Sequence, residues 1–217
     1  MAGQIYLYLS GIAGESTAVR FEGLMDITSF SVGNAMEVDM EARTGSGGGT
    51  SGAADPEDLS VDKKMDWASP VMLACCATGA IIPMGRLFQC NVVDDDVYPV
   101  SDYAFSSSII TSVSLSGSGG AIPDESVTIN YGSIIWQYHC YNHQVASQCL
   151  ASQHRGWSLI SATPNQPDGP LYDYFSGTTS TTGGIAIAEG QFTYDSCGGV
   201  GDAVFNATNP PPGIGGG

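Results

Sequence analysis

Residues 58–79 read Asp-Leu-Ser-Val-Asp-Lys-Lys-Met-Asp-Trp-Ala-Ser-Pro-Val-Met-Leu-Ala-Cys-Cys-Ala-Thr-Gly, and this stretch decides the fold. It carries the one convincing helix signal in a chain that otherwise reads as strands and turns. Ser69 is placed to accept from the first free amides as an N-cap. Pro70 then takes the first helical position, where its missing donor costs nothing. Val71 to Ala77 is apolar almost all round, the composition of a buried helix, and Gly79 supplies the left-handed residue that closes it. The predicted helix is therefore Ser69–Thr78. Leu59, Val61 and Met65 alternate before it, so a strand feeds the helix directly. One short buried helix among many strands must be packed on by a sheet. The expected fold is mainly β: a flattened β-barrel of two packed sheets with one principal α-helix.

Working outward, the N-terminal residues Ile5, Leu7 and Leu9 alternate with Tyr6, Tyr8 and Ser10, which argues a half-buried strand. Residues 22–31 predict a second strand after a kink at Gly23. Residues 32–40 continue extended, with Met36, Val38 and Met40 on one face. The pattern breaks over 41–57, where Gly45-Ser46-Gly47-Gly48-Gly49-Thr50-Ser51-Gly52 buries nothing and is flexible by composition. After the helix, 85–93 reads as a strand, and Asp94-Asp95-Asp96 as a solvated turn, since the spaced oxygens and distal Glu of a calcium loop are lacking. Residues 98–116 hold one long strand or two, with Ile109, Val113 and Leu115 as core candidates. Gly117 to Pro123 makes a turn. The return strand places Val127, Ile129 and Tyr131 opposite Thr128 and Asn130, and Ile134, Trp136 and Tyr138 extend the alternation. This hairpin is the strongest strand signal in the chain.

From Thr163 the composition changes. Pro164, Pro167, Gly169 and Pro170 form a linker-like break, and a Ser/Gly/Thr run covers 176–184. The expected organisation is a body over 1–162 and a Gly/Pro/Thr-rich C-terminal extension over 163–217. Within the extension, Ile185 and Ile187 with 191–194 suggest a short hairpin. Its aromatics, among them Tyr172, Tyr174, Phe175 and Phe192, are too many for a pure linker, so the extension is expected to pack on the body or on a neighbouring subunit.

Charge narrows the partners. The 22 acids outnumber six bases, for a formal charge of −16. The bases are scattered, so nucleic acid and anionic lipid are not expected partners. No apolar run reaches membrane-spanning length. The N-terminus lacks a basic segment and alternates, so no cleavable leader is expected there.

The six cysteines contain no Cys-x-x-Cys pair. One reading is buried thiols at Cys75, Cys76 and Cys90. The other is an even set with a disulfide, for which Cys149 and Cys197, in loop-like sequence, are the candidates. All three histidines, His139, His143 and His154, fall near Cys140 and Cys149. On an extended strand His139 and His143 lie about 13 Å apart, and no metal site is assigned. No cofactor fingerprint occurs. Gly-x-Ser-x-Gly is missing from any strand-to-helix context, since 116–120 is a hairpin turn. An enzyme is not expected.

The motifs also carry a resemblance. Leu59-Ser60-Val61-x-Lys63, Ser69-Pro70, Cys75/Cys76 and Gly79 resemble the core signature of the haemolysin-coregulated protein (Hcp) family, the tube proteins of type VI secretion systems. Gly14-Glu15-Ser16, Asp26-Ile27 and Ser29-Phe30-Ser31 resemble its N-terminal half. Ser112-Val113-Ser114, the glycines after Gly117, and Glu125 to Asn130 resemble its closing hairpin. Gly156-Trp157 resembles the end of its last strand. The resemblance covers 1–162 and leaves the extension without a counterpart.

The resemblance implies a structural subunit that forms homo-oligomeric, hexameric rings stacking into a hollow tube, with secretion-system spike, sheath or cargo proteins as further partners. It implies secretion, with a cytoplasmic stage before export. It also implies that the long loop contacts the next ring, through Glu41, Arg43, Gly45, Gly47, Gly48, Gly49, Asp55 and Pro56. Family members that carry enzymes do so in a large C-terminal toxin domain, for which the extension is too short and too poor in core residues. The alternative function is a secreted carrier or effector whose extension is a binding module.

Overall fold

The computed structural model describes residues 3–18, 21–38, 51–93, 96–141, 149–159, 163–164, 184–187 and 190–193. The chain is mainly β. The first sheet runs β12-β11-β10-β8-β7-β1-β2, where β1 is Gly3–Leu9, β2 Met25–Ile27, β7 Ile81–Val93, β8 Asp96–Ser116, β10 Ser133–Tyr141, β11 Cys149–Ser158 and β12 Thr163–Pro164. The second is built from β3 (Ser29–Ser31), β6 (Leu59–Lys64), β9 (Asp124–Asn130) and the C-terminal half of β8. The two pack face to face as the expected flattened barrel.

Two segments serve both sheets. Strand β8 is 21 residues long and so answers the choice between one strand and two. It turns the corner at Ser107, a non-glycine residue at φ 54°, and then slips register between Ile110 and Ser112. Residues 25–31 pair with β1 through β2 and with β6 through β3. Between them Thr28 donates its amide to the Asp62 carbonyl at 2.7 Å. Pairing changes hands there, so the barrel is not closed by one continuous ladder.

The register slip corrects one part of the core assignment, Ile109. An extra residue in a strand turns the following side chains to the other face. Ile110 is buried in place of Ile109, whereas Val113, beyond the slip, is half-buried and packs against the core as expected, and Leu115 is exposed at the end of the strand. The return strand also differs from expectation. It breaks at Tyr131-Gly132, and β10 joins the first sheet with Gln137 and His139 buried and Tyr138 exposed.

Between the sheets lies a core of Leu7, Leu9, Met25, Leu59, Val61, Phe105, Val127 and Ile129. The other face of the first sheet carries a second cluster, in which Tyr6 stacks on Phe21 at 4.5 Å and Phe88 meets Phe21 edge-on. Residues 84–88 of β7 are consequently buried without a break, as in strands covered on both faces.

The helix α1 occupies Ser69–Thr78, as predicted, and Gly79 closes it at φ 64°. Two expectations for it fail. Ser69 is already inside the helix, and the cap residue is Ala68, which makes no side-chain cap bond. Instead, the Asp66 carboxylate accepts the Ala68 amide at 2.9 Å. The helix is also not buried, for only Ser69 and Met72 are enclosed. Uniformly apolar composition does not specify depth. Its open side carries Leu73, Ala74 and Ala77.

The long loop begins and ends as a ribbon. β4 (Asn34–Val38) pairs with β5 (Ser51–Pro56). Ser51 and Gly52, expected to be flexible, are therefore in a strand, since ladder bonds are made by the backbone. In the C-terminal extension, β12 pairs with β11. β13 (Gly184–Ile187) and β14 (Gly190–Thr193) pair with each other, which is the expected short hairpin.

Candidate assembly surface

The base of the arm formed by β4 and β5 is fastened to the second sheet. The Glu57 amide donates to the Gly33 carbonyl at 3.0 Å and closes the ribbon. Tyr131 donates its hydroxyl to the Glu57 carbonyl at 3.0 Å. Burial, and then the nearby Asp58 and Glu57, raise the Tyr131 pKa to about 12, so the phenol remains a donor. Asp58 accepts from Asn130 at 2.7 Å. Of the residues expected in the stacking contact, Asp55 and Pro56 lie in β5, paired with Ala35 and Asn34. Glu41, Arg43, Gly45, Gly47, Gly48 and Gly49 lie outside the described residues.

At the other end of β6 a buried charge knot holds the helix. Lys63 Nζ donates to Glu125 at 2.8 Å and to Asp66 at 2.6 Å. The Ser69 hydroxyl donates to Glu125 at 2.6 Å and accepts the Asp66 amide at 3.0 Å. Lys63 and Glu125 side chains are fully enclosed. Buried ions persist when paired and hydrogen-bonded, so strand, helix start and hairpin are held in one geometry. The sequence contains the signal for this pair. Lys63 continues the inward series Leu59, Val61, and Glu125 begins the inward series Val127, Ile129.

Beyond the knot, Trp67 is 72% exposed. Its amide donates to Glu15 at 3.0 Å, which ties the loop carrying it to the N-terminal segment. Nothing in the local pattern separates this indole from a core aromatic.

The outward face of the second sheet is a field of hydroxyls. Ser29, Asp62, Ser126 and Ser114 stand in one register row, and Ser31, Ser60, Thr128 and Ser112 in the next. Ser29 donates to Asp62 at 2.7 Å.

The outer face of the first sheet holds a second buried charge group. Arg86 makes two bonds to Asp102, at 3.2 and 3.0 Å, and lies 4.9 Å over the Phe88 ring. His139 Nε2 sits 3.5 Å from the same carboxylate. Burial lowers the His139 pKa, Asp102 opposes this and Arg86 adds to it. His139 is thus an internal residue of β10. No cluster of acids, histidines and cysteines suited to a metal occurs among the described residues. Cys75, Cys76, Cys90 and Cys140 are free thiols. The Cys197 partner of the suggested disulfide lies outside the described residues, as does the Cys149 side chain.

A family model described as "Type VI secretion system effector, Hcp" matches residues 6–138. The chain belongs to the Hcp family. A solved structure described as a type six secretion system protein is 26% identical to this Hcp chain, with a TM-score of 0.68, covering 75% of this chain and 99% of its own. Hcp1 from Salmonella typhimurium is 21% identical with a TM-score of 0.58, over 76% of this chain and 99% of its own. A type VI secretion system effector from Yersinia pestis is 18% identical with a TM-score of 0.51, over 71% and 98%. The last two share the fold. Comparison with curated proteins finds no match. No helix among the described residues is long and apolar enough to cross a membrane.

Proposed function

We propose that this Hcp chain is a structural subunit, not a catalyst, that closes into hexameric rings which stack as a hollow tube of a type VI secretion system and leave the cell with it. The observation that carries the reading is the contrast between the two outer faces of the body. The first sheet is covered on both sides, whereas the second presents rows of Ser, Thr and Asp to water. A lumen wall must stay hydrated and must not adhere to what passes, and a hydroxyl face on a rigid sheet meets that need. The loop at 41–56 is the proposed contact between rings. The proposed partners are other copies of the chain, with spike, sheath and cargo proteins at the ends and inside.

Negative-stain microscopy and sedimentation of the full chain test this. The expected result is rings with an open centre that stack end to end. A monomer at micromolar concentration overturns it.

The second reading, a secreted carrier whose extension is a binding module, draws support from one observation. The matched structures are covered almost completely, yet they account for only about three quarters of this chain. We propose that 163–217 is a structural addition packed outside the tube. Truncation after Ala162 separates the two readings. Tubes less stable to heat are expected from a structural extension, and unchanged tubes favour the binding module.

A further inference from the structure

Of the nine large apolar side chains left in solvent among the described residues, six stand at the two ends of the second sheet; Leu73, Leu115 and Tyr138 are the others. Met36, Ile81 and Ile109 lie where the arm departs. Ile81 pairs with Ile109, Ile109 with Asn130, and Asn130 donates to Asp58 at the arm base. Met65, Trp67 and Ile122 lie at the opposite end, where the Met65 amide donates to the Pro123 carbonyl. The length of β6, about 17 Å at its usual rise per residue, separates the groups. At the second end Met65, Trp67, Pro70 and Val71 line an open cleft of about 530 Å³, with Glu15 and Asp66 on its rim.

Unlike apolar patches at opposite ends of one molecule suit a heterologous, head-to-tail contact, and such a contact propagates as a stack. We infer that the Trp67 cleft seats the β4–β5 ribbon of a second copy, with Met36 entering beside the indole. This deepens the tube reading, on which it rests, by naming the surface that receives the arm. The parts match chemically. An exposed indole on a loop tied down by the bond from the Trp67 amide to Glu15 is the kind of anchor that carries interface energy. A methionine side chain adapts to such a surface and makes favourable sulfur–aromatic contact. The ribbon is a two-stranded sheet of its own, with no ladder to any strand of the body, so its engagement breaks no pairing of the barrel.

The test uses the full chain with Trp67→Ala, Trp67→Glu and Met36→Glu. Each is expected to keep the ring peak and the melting temperature while raising the concentration needed for stacking by about tenfold or more, as for loss of an interface anchor. Tryptophan emission is expected to shift to shorter wavelength as wild-type rings stack, and the shift is expected to vanish in Trp67→Phe. The occupant is tested by mixing chains carrying Trp67→Cys with chains carrying Met36→Cys. A cross-link between the two substituted positions, found by peptide mapping in the mixture alone, supports the assignment. Wild-type stacking by Trp67→Glu, or cross-links from position 67 to a site outside the ribbon, overturns the inference and leaves the tube reading standing. Failure of the unsubstituted chain to stack overturns both.

Discussion

The outer face of the first sheet is covered, and that of the second is bare. On the first, Tyr6, Phe21, Phe88 and Ile135 form a second core, and Arg86, Asp102 and His139 are buried among the strands. On the second, the same alternation of in and out places Ser, Thr, Asp and Asn in water. The two are made of one continuous fabric, since β8 belongs to both. The difference teaches that strand composition reports how many faces are covered. The unbroken buried run of 84–88 belongs to the doubly covered wall, and the strict alternation of 124–130 to the singly covered one.

This contrast can be broken by substitution. The largest effect is expected from Phe88→Ala. The ring is fully buried on the outer side of the first sheet, and its removal should cost about 3–5 kcal/mol in urea unfolding. A loss below about 1 kcal/mol would mean that this face is not a core. Next comes Glu125→Gln, which keeps the shape of the knot at the mouth of the second sheet but removes its charge. With Asp66 still bound to Lys63, a loss of about 1.5–3 kcal/mol is expected, typical of a hydrogen bond to a charged group. A neutral result would show that Asp66 alone suffices.

A smaller, pH-dependent effect is expected at His139. Burial depresses its pKa in the folded state below the ordinary 6.5, so the unfolded chain takes up the proton first as pH falls. Stability should therefore decline as pH drops through about 6.5. His139→Gln should flatten that part of the profile, read as melting temperature at pH 7.5 and 5.5. An unchanged slope would assign it to other groups. The smallest effect is expected on the bare face. Ser126→Ala and Ser114→Ala should each stay within about 0.5 kcal/mol of the parent. A large loss from either would show that this face is packed against something.

Much of the body was legible because its signals are local. The Ser-Pro start region and Gly79 bound the helix, and Val127, Ile129 and Tyr131 declare the inward face of β9. The assembly surface was less legible. Met65 read as part of the alternation that feeds the helix and nothing marked Trp67, since exposure is a property of what surrounds a side chain. Of the β8 candidates, Val113 packs against the core as expected, whereas Ile109 faces out because a register slip between Ile110 and Ser112 lies between them, and Leu115 ends the strand in solvent. That slip is set by two sheets meeting at an angle, and nothing in the Ser/Ile/Val sequence marks it. The Lys63–Glu125 pair was available in the alternation of both strands, but a charge at an inward position is interpretable only when its partner is known.

By itself, then, the amino-acid sequence determined the β class, the helix with its bounds, the closing hairpin and the membership of the Hcp family. These depend on periodicity, turn chemistry and motif order along the chain. Tertiary structure alone decided that the helix lies open and not buried, that Ser69 serves a charge knot and not a cap, and that the two sheets differ in cover. It also decided that exposed apolar side chains stand at both ends of the second sheet. The physical reason is common to all four. Burial, pairing and exposure are relations between segments distant in sequence, and a side chain's own identity does not contain them until the strands are placed beside one another.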